Sequence, residues 1–482
     1  MDELLSLGAF ELAQNIARKK ITPLEAVEAH IGRIEAVNPK LNAVVAERFA
    51  AARAEAVEAG EALARGDKLG PLHGVPCSIK ETFAFKGLPH TGGSWHRKGH
   101  IADEDATAVK RLRAAGAIPL GITNVPELTM WSETYNTIYG RTRNPFGLDR
   151  TCGGSSGGEA AIVGAGGAPF GLGSDIGGSI RMPAFFCGVF GHKPSGGAIP
   201  LTGHFPRAVG PSGRYCVAGP IARRARDLMP LMQILAGPDG LDVMTREVDL
   251  RPSEGVDFKD RRVLVLEDMK AALTVGPNHE MRIAVRRAAL AFESKGAIVE
   301  PWWSPKLAEA VSIWSSMIAE DSVSFSDMLG GGQPPNYPVE FLRSVGGRSR
   351  YTFPALIFGA AEKIFLALGD KVARRFIDLG RALRGELEAA LADGAILISP
   401  THPRPAPKHD TPLLRPFDFI YTGIFNVLEV PVTAIPMGLG PDLIPLGVQI
   451  AAARGNDHLT IAAAEQLEAA VGGWSIPVRS LW

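Results

Sequence analysis

Three side chains in this chain have the types and spacing to act together. Lys80 closes the run "HGVPCSIK" (His73–Lys80). Ser155 lies in "TCGGSSGGEA" (Thr151–Ala160), and Ser179 in "SDIGGSIRMP" (Ser174–Pro183). They stand 75 and then 24 residues apart. Two Gly/Ser loops so close in sequence could cradle a phosphate or present a nucleophile. Phosphate binding fails on residue type: a P-loop needs Lys followed by Ser or Thr at a fixed distance from its glycines, and neither loop supplies it.

Gly153–Gly157 matches the G-x-S-x-G of a nucleophile elbow by letter. That motif needs a strand directly before the serine. Here the preceding segment, "RNPFGLDRTC", is polar with Pro and Gly and is expected to be a loop, and no convincing histidine partner follows. A serine activated by lysine fits better. At a reference pKa of about 10.4, roughly one lysine in 2,500 is neutral at pH 7, a deficit of about 4–5 kcal/mol. Burial can lower a lysine pKa by about 3–5, enough to close most of that gap. The neighbours of Lys80 include Val75, Cys77, Ile79, Phe83 and Phe85, an apolar setting. The glycines before Ser179 leave successive N–H groups free to point one way, as an oxyanion requires.

These residues must be held by regular elements. Thr22-Pro23-Leu24-Glu25 reads as a capping box with Pro at the first helical position, opening a helix to about Val37. A second helix is predicted over about 48–64, a strand at 73–80, a helix at 105–115 and a strand at 117–122. A Gly/Ala-rich helix at 159–164 precedes a strand at 169–173. Further strand–helix alternation runs from Arg262 to Val471. The pattern predicts an α/β fold with a mixed, largely parallel central sheet and helices on both faces. All 482 residues are read as one domain. A helix-rich insertion or cap is expected at about 301–393, broken by "LGGGQPPNYP" at Leu329–Pro338. Within it, the apolar Tyr351–Gly369 stretch either lines a substrate channel or packs in the core.

Composition narrows the function classes. Formal net charge is zero and no long run of like charge occurs, which argues against nucleic acid as a partner. The longest uncharged run, Ala160–Ser174, is too short to span a membrane. The start, "MDELLSLGAF", lacks a signal-peptide pattern, so the expected compartment is the cytoplasm. The cysteines, Cys77, Cys152, Cys187 and Cys216, form no C-x-x-C. They read as small buried side chains, with no zinc site and no metal expected.

The stretch from Cys152 to Gly197, "CGGSSGGEAAIVGAGGAPFGLGSDIGGSIRMPAFFCGVFGHKPSGG", resembles the signature of the amidase signature family. "HGVPCSIKETFAFKG" resembles that family's lysine strand, and "VPVTAIPMG…IPLGVQIAAARGNDHLTIAAAEQLE" its carboxyl-terminal part. The likeness covers essentially the whole chain and is nearest to fatty acid amide hydrolase-like members. It implies Ser179 as nucleophile, Ser155 as bridging serine behind a cis Gly154–Ser155 bond, and Lys80 as base. Ser156 is the neighbouring alternative to Ser155, and alignment by spacing favours Ser155. The resemblance further implies an oxyanion hole from the N–H groups of Ile176, Gly177, Gly178 and Ser179, with Asp175 and Arg181 bracing the loop. Thr129, Met130 and Trp131 lie where the family lines its pocket. Ser174 is expected to bond backbone, and Glu133 to face solvent or cap an element.

The implied reaction is hydrolysis of a small-molecule carboxylic acid amide, fatty-acyl or aryl, through an acyl-enzyme, with no cofactor. An esterase, carbamate or aryl-acylamide hydrolase with the same residues, and a glutaminase subunit of a transamidation complex, stay open. So does self-association as a homodimer. Membrane-bound members carry an amino-terminal spanning helix, and its absence here argues against membrane attachment and long-chain lipid substrates.

Overall fold

In the structure, a computed structural model, residues 3–207, 210, 212–320, 323–366 and 370–477 are described. The first cap forms as its letters predict. Thr22 Oγ1 accepts from the Glu25 amide at 3.1 Å, and Glu25 Oε2 accepts from the Thr22 amide at 2.8 Å. The helix Pro23–Leu41 ends on Asn42 in the left-handed region. Helices Phe49–Arg65 and Thr107–Ala114 follow near their expected places.

The centre is a sheet of eleven strands. Across it run Val44–Glu47, Ile118–Thr123, Pro76–Lys80, Phe170–Asp175, Val217–Ala222, Phe190–Lys193, Val432–Leu439, Pro445–Ala452, Ile396–Pro400, Arg262–Val265 and Ile298–Pro301. The sheet is mixed, as expected, but antiparallel neighbours outnumber parallel ones by six to four. The expectation of a largely parallel sheet is thus corrected. Short strands such as Phe190–Lys193 and Val217–Ala222 carry Gly, His, Lys and Pro rather than a β-branched run, and they insert antiparallel in the middle.

Both faces of the sheet are buried. On Ile396–Pro400, Ile396 and Ile398 pack with Val285, Ala288 and Phe292 of the helix His279–Glu293. Leu397 points the other way, to Ile313 and Leu387 of the helices Ala310–Ala319 and Asp370–Ala390. This is the period-two alternation of a strand covered on two sides. The 301–393 segment is helical, with Phe325–Leu329, Tyr337–Val345 and Phe353–Leu366 between those two helices. In Tyr351–Gly369, Tyr351, Ala355 and Leu356 pack against Leu128, Phe325 and Tyr337; residues 367–369 lie outside the described residues. All four cysteines are buried and unpaired. Among the described residues, no helix is long and apolar enough to cross a membrane.

Candidate active site

Parallel pairing sets Pro76–Lys80 beside Phe170–Asp175, so Lys80 reaches the end of the strand that leads into the Ser179 loop. Lys80 is fully buried, and its Nζ lies 2.8 Å from Ser155 Oγ. Burial pushes its pKa down to about 7, although Cys216, Asp175 and Glu159 act in the opposite direction. The Gly154–Ser155 peptide bond is cis. Ser156, next in sequence, faces elsewhere: its hydroxyl donates to the Ser174 carbonyl at 3.1 Å. The Ser156 amide donates to the Ser179 carbonyl at 3.1 Å, tying the two serine loops together.

Ser174 departs from expectation. Its hydroxyl engages side chains, not backbone: Lys80 Nζ at 2.9 Å and His204 Nε2 at 2.9 Å. A buried amine needs polar partners, and the alternation of the strand aims Ser174 at it. Glu159 sits on the far side of this cluster at the start of the helix Gly157–Gly164, held by the hydroxyls of Ser78 and Thr123. Burial raises its carboxyl to about 7.

The loop after Asp175 is braced by a buried ion pair. Arg181 Nε meets Asp175 Oδ2 and one terminal nitrogen meets Oδ1, both at 3.0 Å, and both side chains are fully buried. Asn426 donates to Asp175 Oδ1 at 2.9 Å, and Gln449 accepts from Arg181 at 3.1 Å. Burial alone would raise the Asp175 carboxyl, but the charge and hydrogen bonds of Arg181 outweigh it and hold it well below the usual carboxylate range. Gly178 adopts φ +114°, and a Cβ there would collide with Thr422.

Of the four expected oxyanion donors, Gly178 is otherwise engaged: its N–H donates to Asp175 Oδ1 at 2.7 Å. Among the described residues, no acceptor takes up the N–H groups of Ile176, Gly177 or Ser179. The Ser179 hydroxyl likewise has no partner among the described residues, and it faces a cavity. Thr129, Met130 and Trp131 line that cavity together with Gly154, Ile176 and Gly177.

Met182, Trp314 and Phe419 line the same cavity and were not found by sequence reasoning, whereas Phe358, also lining it, belongs to the Tyr351–Gly369 stretch for which a channel-lining role was one of the two expectations. Trp314 Nε1 donates to the Ile176 carbonyl at 3.0 Å, and its ring meets Phe419 edge-on at 4.8 Å. These residues come from distant segments, and only an apolar pattern marked them. Of the two expectations for Glu133, facing solvent is corrected: it is buried, accepting at 3.1 Å from the amide of Asp410, which opens the short helix Thr411–Leu414, and lying 3.4 Å from His409. It anchors a loop instead of facing solvent.

Comparison with known proteins identifies the family. The model of the family described as Amidase matches residues 25–461. "Fatty-acid amide hydrolase 2-B" of Danio rerio is 41% identical, covering 98% of this chain and 91% of that one. "Acylamidase" of Rhodococcus erythropolis is 34% identical, covering 96% and 95%. The solved structure of 6-aminohexanoate cyclic dimer hydrolase superposes with a TM-score of 0.84 at 28% identity, covering 99% of each chain. With a family match over most of its length and relatives of this identity along nearly all of it, the chain belongs to the amidase family and is an amide hydrolase.

Proposed function

We propose that the protein cleaves linear amides of apolar carboxylic acids through an acyl-enzyme on Ser179. Neutral Lys80 takes the hydroxyl proton of Ser155 as Ser155 takes that of Ser179, and Ser179 attacks the amide carbonyl. The N–H groups of Ile176, Gly177 and Ser179 receive the developing oxyanion. The relay returns the proton to the leaving nitrogen, the C–N bond breaks, and water then hydrolyses the ester by the same path. The observation that carries this reading is a fully buried lysine amine 2.8 Å from a serine hydroxyl, beside a cavity walled by a second serine and unengaged amides.

The substrate class follows from the cavity wall. Met130, Trp131, Met182, Trp314, Phe358 and Phe419 are apolar, and among the described residues no charged side chain lines the space. Such a wall suits a fatty-acyl or aryl group and offers nothing to the ammonium and carboxylate of free glutamine. The names of the Danio and Rhodococcus relatives point the same way. We read the 301–393 segment as a cap of one single domain, supplying Trp314 and Phe358 to the pocket. A cytoplasmic site of action fits the four unpaired cysteines.

A panel of fatty-acyl amides, anilides, esters, carbamates and glutamine tests this reading. Turnover should be highest on apolar-acyl amides or anilides, negligible on glutamine, and absent for Ser179→Ala. Glutamine as the best substrate, or a Ser179→Ala enzyme that still turns over, would sink it.

A further inference from the structure

The relay requires the free electron pair of Lys80 to face Ser155, yet the amine has a second hydroxyl neighbour that could compete for it. We propose that His204 is a positioning residue that directs this electron pair to Ser155 by holding the Ser174 hydroxyl hydrogen away from the amine. The proposal rests on the relay described above.

The hydrogens can be assigned one at a time. His204 Nδ1 lies 2.9 Å from the Pro206 carbonyl oxygen. A carbonyl only accepts, so Nδ1 carries the ring hydrogen. The ring is buried, against Phe83 edge-on at 5.0 Å. Burial, with the charge of Lys80 acting in the same direction, pushes its pKa down to about 3, so it stays neutral. Nε2 is then a bare acceptor, 2.9 Å from Ser174 Oγ. Ser174 must donate to it, and toward Lys80 at 2.9 Å its oxygen can only accept.

A neutral amine has two hydrogens and one electron pair. Ser174 Oγ takes one hydrogen and the Ser174 carbonyl, at 3.4 Å, faces the other. The electron pair is left for Ser155 Oγ at 2.8 Å. Without an acceptor at position 204, the Ser174 hydroxyl is free to turn its hydrogen onto that pair and block the relay. Neighbouring bonds fix the imidazole in place: the His204 amide donates to Leu201 O at 2.9 Å and the Phe205 amide to Thr82 O at 2.8 Å.

The test uses the whole protein and an amide it turns over. His204→Phe keeps a ring but no acceptor, and should lower kcat about tenfold or more with KM nearly unchanged. His204→Gln, whose amide oxygen can accept from Ser174, should recover kcat to within about threefold of the original. Adding His204→Phe to Ser174→Ala should cost nothing further, because the hydroxyl it controls is gone. Full activity in His204→Phe, or losses that multiply in the double variant, would overturn the proposal. Should His204→Phe not fold, His204→Asn against His204→Gln decides: the shorter amide falls short of Ser174 and should be slow, and equal rates would overturn it. Lys80→Ala separates the two levels. If it keeps its rate, the relay itself fails; if it loses rate while His204→Phe does not, only the role of His204 fails.

Discussion

A lysine serves as a base only where water cannot solvate its ammonium form, and Lys80 is buried on every side. Its pKa of about 7 sets the sign of the pH dependence. In the proposed relay the neutral form is the active one, so kcat/KM should rise as pH climbs through about 7 and level above it. A rate that falls as pH rises through that range would contradict the assignment. Lys80→Ala should lower kcat/KM by about 10²–10⁴, the usual contribution of a positioned base, and erase that rise. Lys80, Ser155 and Ser179, the proposed relay, could be nominated from the chain because each carries its own local signal: an apolar strand end or a glycine-flanked serine. Ser174 and His204 were not. They stand 30 residues apart, and nothing in either neighbourhood announces that a hydroxyl and an imidazole will meet on a buried amine.

At the scale of the element, the Ser179 loop depends on one ion pair and one glycine. Asp175→Asn would leave Arg181 charged, fully buried and without its counter-ion. Breaking such a pair costs about 3–5 kcal/mol, read as a lower urea midpoint for the whole fold. Thr22→Ala removes a distant helix cap and should cost only about 1 kcal/mol, with kcat/KM unchanged. Equal losses from the two variants would deny the loop its dependence on the pair. Capping chemistry is written in consecutive letters, which is why the start of the helix Pro23–Leu41 could be read closely. The sheet was harder: short strands rich in Gly and Pro give no periodic signal, and pairing direction is set by partners far along the chain.

At the scale of the molecule, the sheet brings Lys80 and the Ser179 loop together, and Trp314 and Phe358 from the 301–393 segment line the cavity beside them. Phe358 reaches that cavity from the helix Phe353–Leu366. Phe358→Ala should lower kcat/KM for long-acyl amides about tenfold relative to acetyl amides, in keeping with about 1–3 kcal/mol for lost apolar contact. An unchanged ratio would remove this helix from substrate selection. The central claim is that Ser179, not Ser155, carries the acyl group. The most direct measurement is mass-spectrometric mapping of the peptide modified by a fluorophosphonate. The adduct should lie on Ser179 and vanish in Ser179→Ala; an adduct on Ser155 would contradict the account.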